Sequence, residues 1–93
     1  MANDLDNPGV LMLDTAAVIS TTNLFAIRKI VLIAGATACD AEIRDGADRI
    51  IAQLAAPAES SDEIDFNAEK WICTGLELQS IAGTGAVVYV YCG

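Results

Sequence analysis

A run of β-type residues from Leu24 to Ala34, followed by the hairpin signal Ala41-Glu42-Ile43-Arg44-Asp45-Gly46-Ala47-Asp48-Arg49-Ile50-Ile51, constrains the fold of this chain more than any other feature. Ile27, Ile30, Val31, Leu32 and Ile33 surround one basic pair, Arg28-Lys29. The lack of strict alternation there predicts a central strand covered on both faces near its end. In the hairpin, Ala41, Ile43, Ile50, Ala52 and Leu54 are expected on one face, and Glu42, Arg44, Arg49 and Gln53 on the other. Asp45-Gly46-Ala47-Asp48 connects the two strands, with Gly46 as the residue free to take a positive φ. Ala47 to Ala56 also fits a helix, because Ile50, Ile51 and Leu54 fall at helical spacing and alanine favours helix. The Asp-Gly turn and the matching polar flank favour the strand.

The remaining segments carry the same signature. Val10 to Asp14 and Ala16 to Thr21 are short runs of apolar and β-branched residues. Glu63 to Phe66 alternates, Asn67 to Lys70 turns the chain, and Trp71 to Ser80 reads as a strand with a bulge at Gly75. Ala86 to Cys92, with Val87-Val88-Tyr89-Val90-Tyr91 in succession, is the strongest strand. Gly35 to Cys39, Pro57 to Ser61 and Gly83-Thr84-Gly85 supply turns. Seven or eight strands without a dependable helix predict an all-β, single-domain β-sandwich over residues 10–93, with jelly-roll-like or Ig-like connections. Met1 to Gly9 is polar, ends in Asn7-Pro8-Gly9, and is expected to be a flexible arm that orders on contact.

Apolar residues make up 54% of the 93 residues but aromatics only 5%, so the core has to be built from small and branched aliphatics. A chain of this length buries only roughly 60–65% of the surface it exposes when unfolded, which leaves stabilisation for neighbours to complete. Thirteen acidic residues against five basic ones give a net charge of -8, which repels phosphate backbones and anionic lipid head groups. No nucleic-acid or membrane partner is therefore expected. Met1 to Pro8 carries Asp4 and Asp6 without Lys or Arg, unlike the positive region of a secretory signal. The apolar run Ile30 to Ala34 is far below the roughly 18–20 residues that span a bilayer.

The chemistry-bearing residues favour binding over catalysis. Histidine, the usual acid–base residue at neutral pH, is absent. Asp62, Glu63 and Asp65 read as a solvated acidic edge, with Glu63 and Asp65 on one face and Asp62 opposite. Asp40, Glu42, Asp45 and Asp48 lack the spacing of a calcium loop, and Arg44 and Arg49 are expected to act as cross-strand charge partners. Gly83-Thr84-Gly85 precedes a strand rather than a helix, which suits a turn and not a phosphate cradle. Cys39 at a turn, and Cys73 and Cys92 in strands, form an odd set without a CxxC pair, expected to be free thiols in a reducing cytoplasm. No enzyme, cofactor or metal site is expected. Trp71, Tyr89 and Tyr91 suit either a sugar-stacking platform or core and subunit-interface packing, and the latter is favoured because they are most of the aromatics available.

Leu11-Met12-Leu13-Asp14-Thr15-Ala16, Val18-Ile19-Ser20-Thr21-Thr22, Ile27-Arg28-Lys29-Ile30-Val31, Gly35-Ala36 and Ala41-Glu42-Ile43-Arg44-Asp45 together resemble small virion structural proteins of tailed bacteriophages. The C-terminal Tyr-Val-Tyr strand fits the same pattern, so the resemblance spans most of residues 10–92. Leu32, where such proteins carry an aromatic residue, and the alanine-rich stretch Ala52 to Ala58 depart from it. The resemblance implies a capsid decoration or cement protein, made in the host cytoplasm and located on the capsid surface. It also implies two partners, the major capsid protein and further copies of the chain, often as a homotrimer. In that setting Met1 to Gly9 is a docking arm, Val87 to Tyr91 contributes to core or interface, and Asp4, Leu5, Pro8, Val10, Trp71, Tyr89 and Tyr91 are the expected partner-binding residues. A tail, baseplate or fibre module is the nearest alternative, followed by a carbohydrate-binding module and an acidic host-directed inhibitor.

Overall fold

The computed structural model describes Asn3, residues 9–66 and residues 70–92. Among these, seven strands form: β1 (Val10–Leu13), β2 (Ala17–Ile33), β3 (Cys39–Arg44), β4 (Ile50–Ala56), β5 (Ser61–Asp65), β6 (Trp71–Ala82) and β7 (Val87–Cys92). All pairings are antiparallel, in the order β1-β7-β2-β6-β3-β4, with β5 also on β2. The all-β sandwich is thus borne out, and the strand reading of the second hairpin arm holds over the helical one. The turn expected from Asn67 onward lies mostly outside the described residues.

β2 organises the molecule. The separate runs Ala16 to Thr21 and Leu24 to Ala34 join into one 17-residue strand, because each half has its own partners. Ala17 to Ile27 pairs with β6, while Ile27 to Ile33 is flanked by β7 and Lys29 to Ile33 by β5. At the junction, Ile27 faces Cys92 but Lys29 faces Tyr91, which leaves Arg28 as the extra residue of a bulge. The Arg28 carbonyl accepts from Phe66 N–H at 2.9 Å. The bulge resets the alternation, so Ile27 on one side of it and Ile30 and Leu32 on the other all reach the core. The sheet curls there into two layers, β1-β7-β2-β5 and β2-β6-β3-β4. Leu13, Ile27, Ile30, Leu32, Ile43, Leu76, Leu78, Val88 and Val90 are fully buried between them. Coverage of both faces at the end of β2, expected from its unbroken apolar run, is not found: Val31 is half-buried and Ile33 is 42% exposed.

The β3–β4 hairpin corrects four details. Ala41, Ile43, Ala52 and Leu54 are buried as expected, but Ile50 is 50% exposed and Ile51 is buried in its place. The register explains this: Ile43 faces Ala52 and Arg44 faces Ile50, so Ile51 is an inserted residue that turns inward. The positive φ of the turn falls on Asp48, at 66°, and not on Gly46. The Asp45 carboxylate fixes that geometry, with Oδ1 accepting from Ala47 N–H at 2.9 Å and Arg49 N–H at 3.0 Å. Gly46 is needed for a different reason. Its N–H donates to the Thr74 carbonyl at 2.9 Å, and a Cβ on it would lie 2.7 Å from that oxygen. The two arginines also pair differently: Arg44 with Glu42 and Asp48, and Arg49 with Asp45. Cys39 begins β3 instead of ending a turn, and its side chain is buried.

Candidate docking face

Registers of β1, β7, β2 and β5 define two complete rows of side chains across the outer layer. One row runs Val10, Tyr91, Lys29, Asp65, and the next Met12, Tyr89, Val31, Glu63. A third continues with Val87, Ile33 and Ser61. The alternate residues Leu11, Leu13, Val88, Val90, Ile30 and Leu32 are buried, so these rows point outward. Val10, Met12, Val31, Val87, Tyr89 and Tyr91 are each half-buried by their row neighbours. An antiparallel sheet with one face on the core ordinarily turns polar residues outward; here β1, β7 and, apart from Lys29, β2 are aliphatic and aromatic on both sides, and only β5 turns polar residues out. Contiguous apolar surface reached by water makes these rows the candidate face for docking.

Lys29 is the single cation in the rows. Its Nζ lies 5.3 Å from the Tyr91 ring centroid and 3.7 Å from Glu63 Oε2. Each contact is worth about 0.5–1 kcal/mol or less at a solvent-exposed site, enough to bias the side chain across the face rather than away from it. Glu63 and Asp65 form the acidic margin along β5, both exposed. Asp62 points the other way, as the alternation predicts, and its Oδ2 accepts from Ala55 N–H at 3.1 Å, tying β5 to β4.

Three of the expected partner-binding residues come together here: Val10, Tyr89 and Tyr91. Trp71 does not join them. It opens β6 opposite Ile27, 42% exposed, with its ring centroid 5.8 Å from that of Phe66. A three-ring sugar platform is therefore not assembled. Asp4, Leu5 and Pro8 lie outside the described residues. Asn3 of the same arm is held by the turn after β1: its Oδ1 accepts from Asp14 N–H at 2.8 Å and Thr15 N–H at 3.0 Å, and its Nδ2 donates to the Thr15 carbonyl. The Gly9 carbonyl accepts from Cys92 N–H at 2.9 Å. Val87, expected in core or interface, adjoins them, and Met12, Lys29, Val31 and Ile33 complete the face without having been expected at a partner contact. The uninterrupted run Ile30 to Ile33 is the signal for them, since a strand with one buried face does not need it.

Elsewhere the reactive side chains are engaged in structure. Cys39 and Cys73 are buried and Cys92 half-buried; all three are free, and burial pushes each thiol above its ordinary value. Glu42 is held below the usual carboxylate range by hydrogen bonds from Gln53 and Arg44. The described residues contain no group of three or more Cys, Asp or Glu placed to hold a metal ion. Leu24, 72% exposed, and Ile72, 65% exposed, form a second apolar spot on β2 and β6, beside the hairpin turn. No family model matches the chain, and neither a curated protein nor a solved structure does.

Proposed function

We propose that the chain is a structural part of a phage particle, a capsid decoration or cement protein that acts as a homo-oligomer on the capsid surface and reinforces contacts between major capsid subunits. The observation that carries this reading is the apolar outward face of β1-β7-β2-β5. Folding leaves Tyr89, Tyr91, Val31 and Ile33 partly in water although the core between the layers is already closed. The resemblance of its strand and turn segments to tailed-phage virion proteins points the same way.

Physically, the chain would act by mass action. A protein that binds only the assembled lattice stabilises that lattice by the free energy of binding. Its charge of -8 opposes indiscriminate association of free copies, so that docking depends on a matched surface. Purified virions from a culture expressing the chain are expected to contain it in fixed ratio to the major capsid subunit, and heads stripped of it are expected to rupture at lower temperature. Absence from virions, or presence in tails alone, overturns the reading.

A further inference from the structure

We infer that the outward face of β1-β7-β2-β5 pairs with the same face of a second copy, across a two-fold axis parallel to the strands and lying between β7 and β2. This deepens the assembly reading, on which it rests, by naming the partner and the register. Charge limits the choice of face. In a chain of net charge -8, copies repel wherever carboxylates dominate the approach, as Asp40, Glu42 and Glu77 against the single Arg44 do on the outward side of β3 and β6. On the apolar face the carboxylates Glu63 and Asp65 are confined to the β5 margin, and the cation Lys29 sits on the inner strand β2.

The rows are also self-complementary. Rotation about the stated axis lays β7 over β2 of the second copy, and β1 over its β5. Tyr91 then meets Lys29 of the second copy, Tyr89 meets its Val31, and Val87 meets its Ile33, with every contact made twice. Each Lys29, already 5.3 Å from its own Tyr91 ring, gains a second ring while keeping Glu63 as counter-charge. Glu63 and Asp65 fall at the rim beside Met12 and Val10, where water still reaches them. Aligned packing of twisted sheets tolerates this arrangement. Four strands at about 4.8 Å and some 17 Å of strand length make a patch of roughly 20 by 17 Å, so a pair removes roughly 700 Å² of accessible surface. That area suits reversible pairing, not an obligate dimer.

Sedimentation equilibrium of the full chain over a wide concentration range tests the pair. The mass is expected to rise from 9.7 kDa toward twice that value. Tyr89→Lys and Val31→Lys are expected to stay at the single-chain mass with unchanged circular dichroism, whereas Gln53→Lys on the opposite outward face still pairs. In a Cys92→Ser background, mixing Tyr89→Cys with Val31→Cys and adding a short bis-maleimide, which adds to one thiol at each end and spans the roughly 10 Å between packed sheets, is expected to give covalent heterodimers in excess of either homodimer. A single-chain mass at every concentration, a three-copy mass, pairing that survives Tyr89→Lys, or preferential homodimer cross-links overturns the inference. A single-chain mass combined with incorporation into virions would remove the pair and leave the capsid reading standing; the reverse combination would do the opposite.

Discussion

On the outward side of β6, β3 and β4 the rows read Ser80-Glu42-Gln53 and Glu77-Arg44-Ile50; on the outward side of β1, β7, β2 and β5 they read Val10-Tyr91-Lys29-Asp65 and Met12-Tyr89-Val31-Glu63. The first surface closes a network of its own. Arg44 bonds Glu42 and reaches Asp48 at 3.0 Å, and Gln53 donates to Glu42 at 2.8 Å. The second leaves rings and branched aliphatics without enough neighbours to cover them. Both layers share one core, so core formation alone does not require the apolar outer rows, and the assembly proposed above gives them a use that the polar rows do not need.

The largest test of this contrast compares adjacent residues on β2. Leu32 has no exposed surface, and Leu32→Ala is expected to cost about 2–5 kcal/mol, read from urea unfolding at low protein concentration. Val31 points outward and is half-buried, and Val31→Ala is expected to cost less than about 1 kcal/mol under the same conditions. Equal costs would mean that the outer rows belong to the core, and the distinction between the two sides would fail.

A second test addresses how the polar side is held in place. Gly75 has a φ of 81°, and a Cβ there would lie 2.6 Å from the Gly46 Cα. Gly75→Ala is expected to destabilise by about 1–3 kcal/mol through backbone strain and displacement of the hairpin. Hydrogen exchange at the Gly46 N–H, which bonds the Thr74 carbonyl, should speed up more than exchange at Val90 in the other layer. Uniform acceleration throughout the sheet would instead show that the two layers open as one unit.

Acid separates the layers more gently. Asp45 is held below the ordinary carboxylate range, chiefly by the Arg49 N–H and then by the Ala47 N–H. A lowered folded-state value means that its contribution is fully present above the ordinary carboxylate range and is lost as pH falls through the depressed value. Asp45→Asn is therefore expected to lower the urea midpoint at pH 7, with the gap to wild type narrowing as the solution becomes strongly acidic. A gap that is the same at every pH would assign the loss to shape and not to charge.

What the sequence discloses follows from which interactions are local. Strand positions and the inward set Ala41, Ile43, Ala52 and Leu54 were legible because a two-residue period depends only on near neighbours. Ile50 and Ile51 exchanged roles because a bulge is set by the partner strand, which no local pattern contains. The unity of β2 was hidden for the same reason: its halves answer to β6 on one side and to β7 and β5 on the other. Val10, Tyr89 and Tyr91 were expected at a partner contact, and the register sets Val10 beside Tyr91 on the outward face. Lys29 and Val31 join them from β2, which only the register shows. Trp71 was separated from them by its place on β6, a tertiary fact.

The smallest expected effect concerns salt, and it probes the balance of charge between the two sides. At about 0.15 M ionic strength the Debye length is about 8 Å, so repulsion between two copies of charge -8 is only partly screened. Raising sodium chloride from about 0.05 to 0.5 M is expected to strengthen pairing by several-fold, because long-range repulsion falls while apolar contacts do not weaken. Lys29→Met should keep that salt response but lower affinity modestly, since it removes the cation–ring contact and leaves Glu63 without its partner. Pairing that weakens with salt would mean that opposite charges, rather than Tyr89, Val31 and their neighbours, hold two copies together. The contact would then belong to a more charged surface than β1-β7-β2-β5.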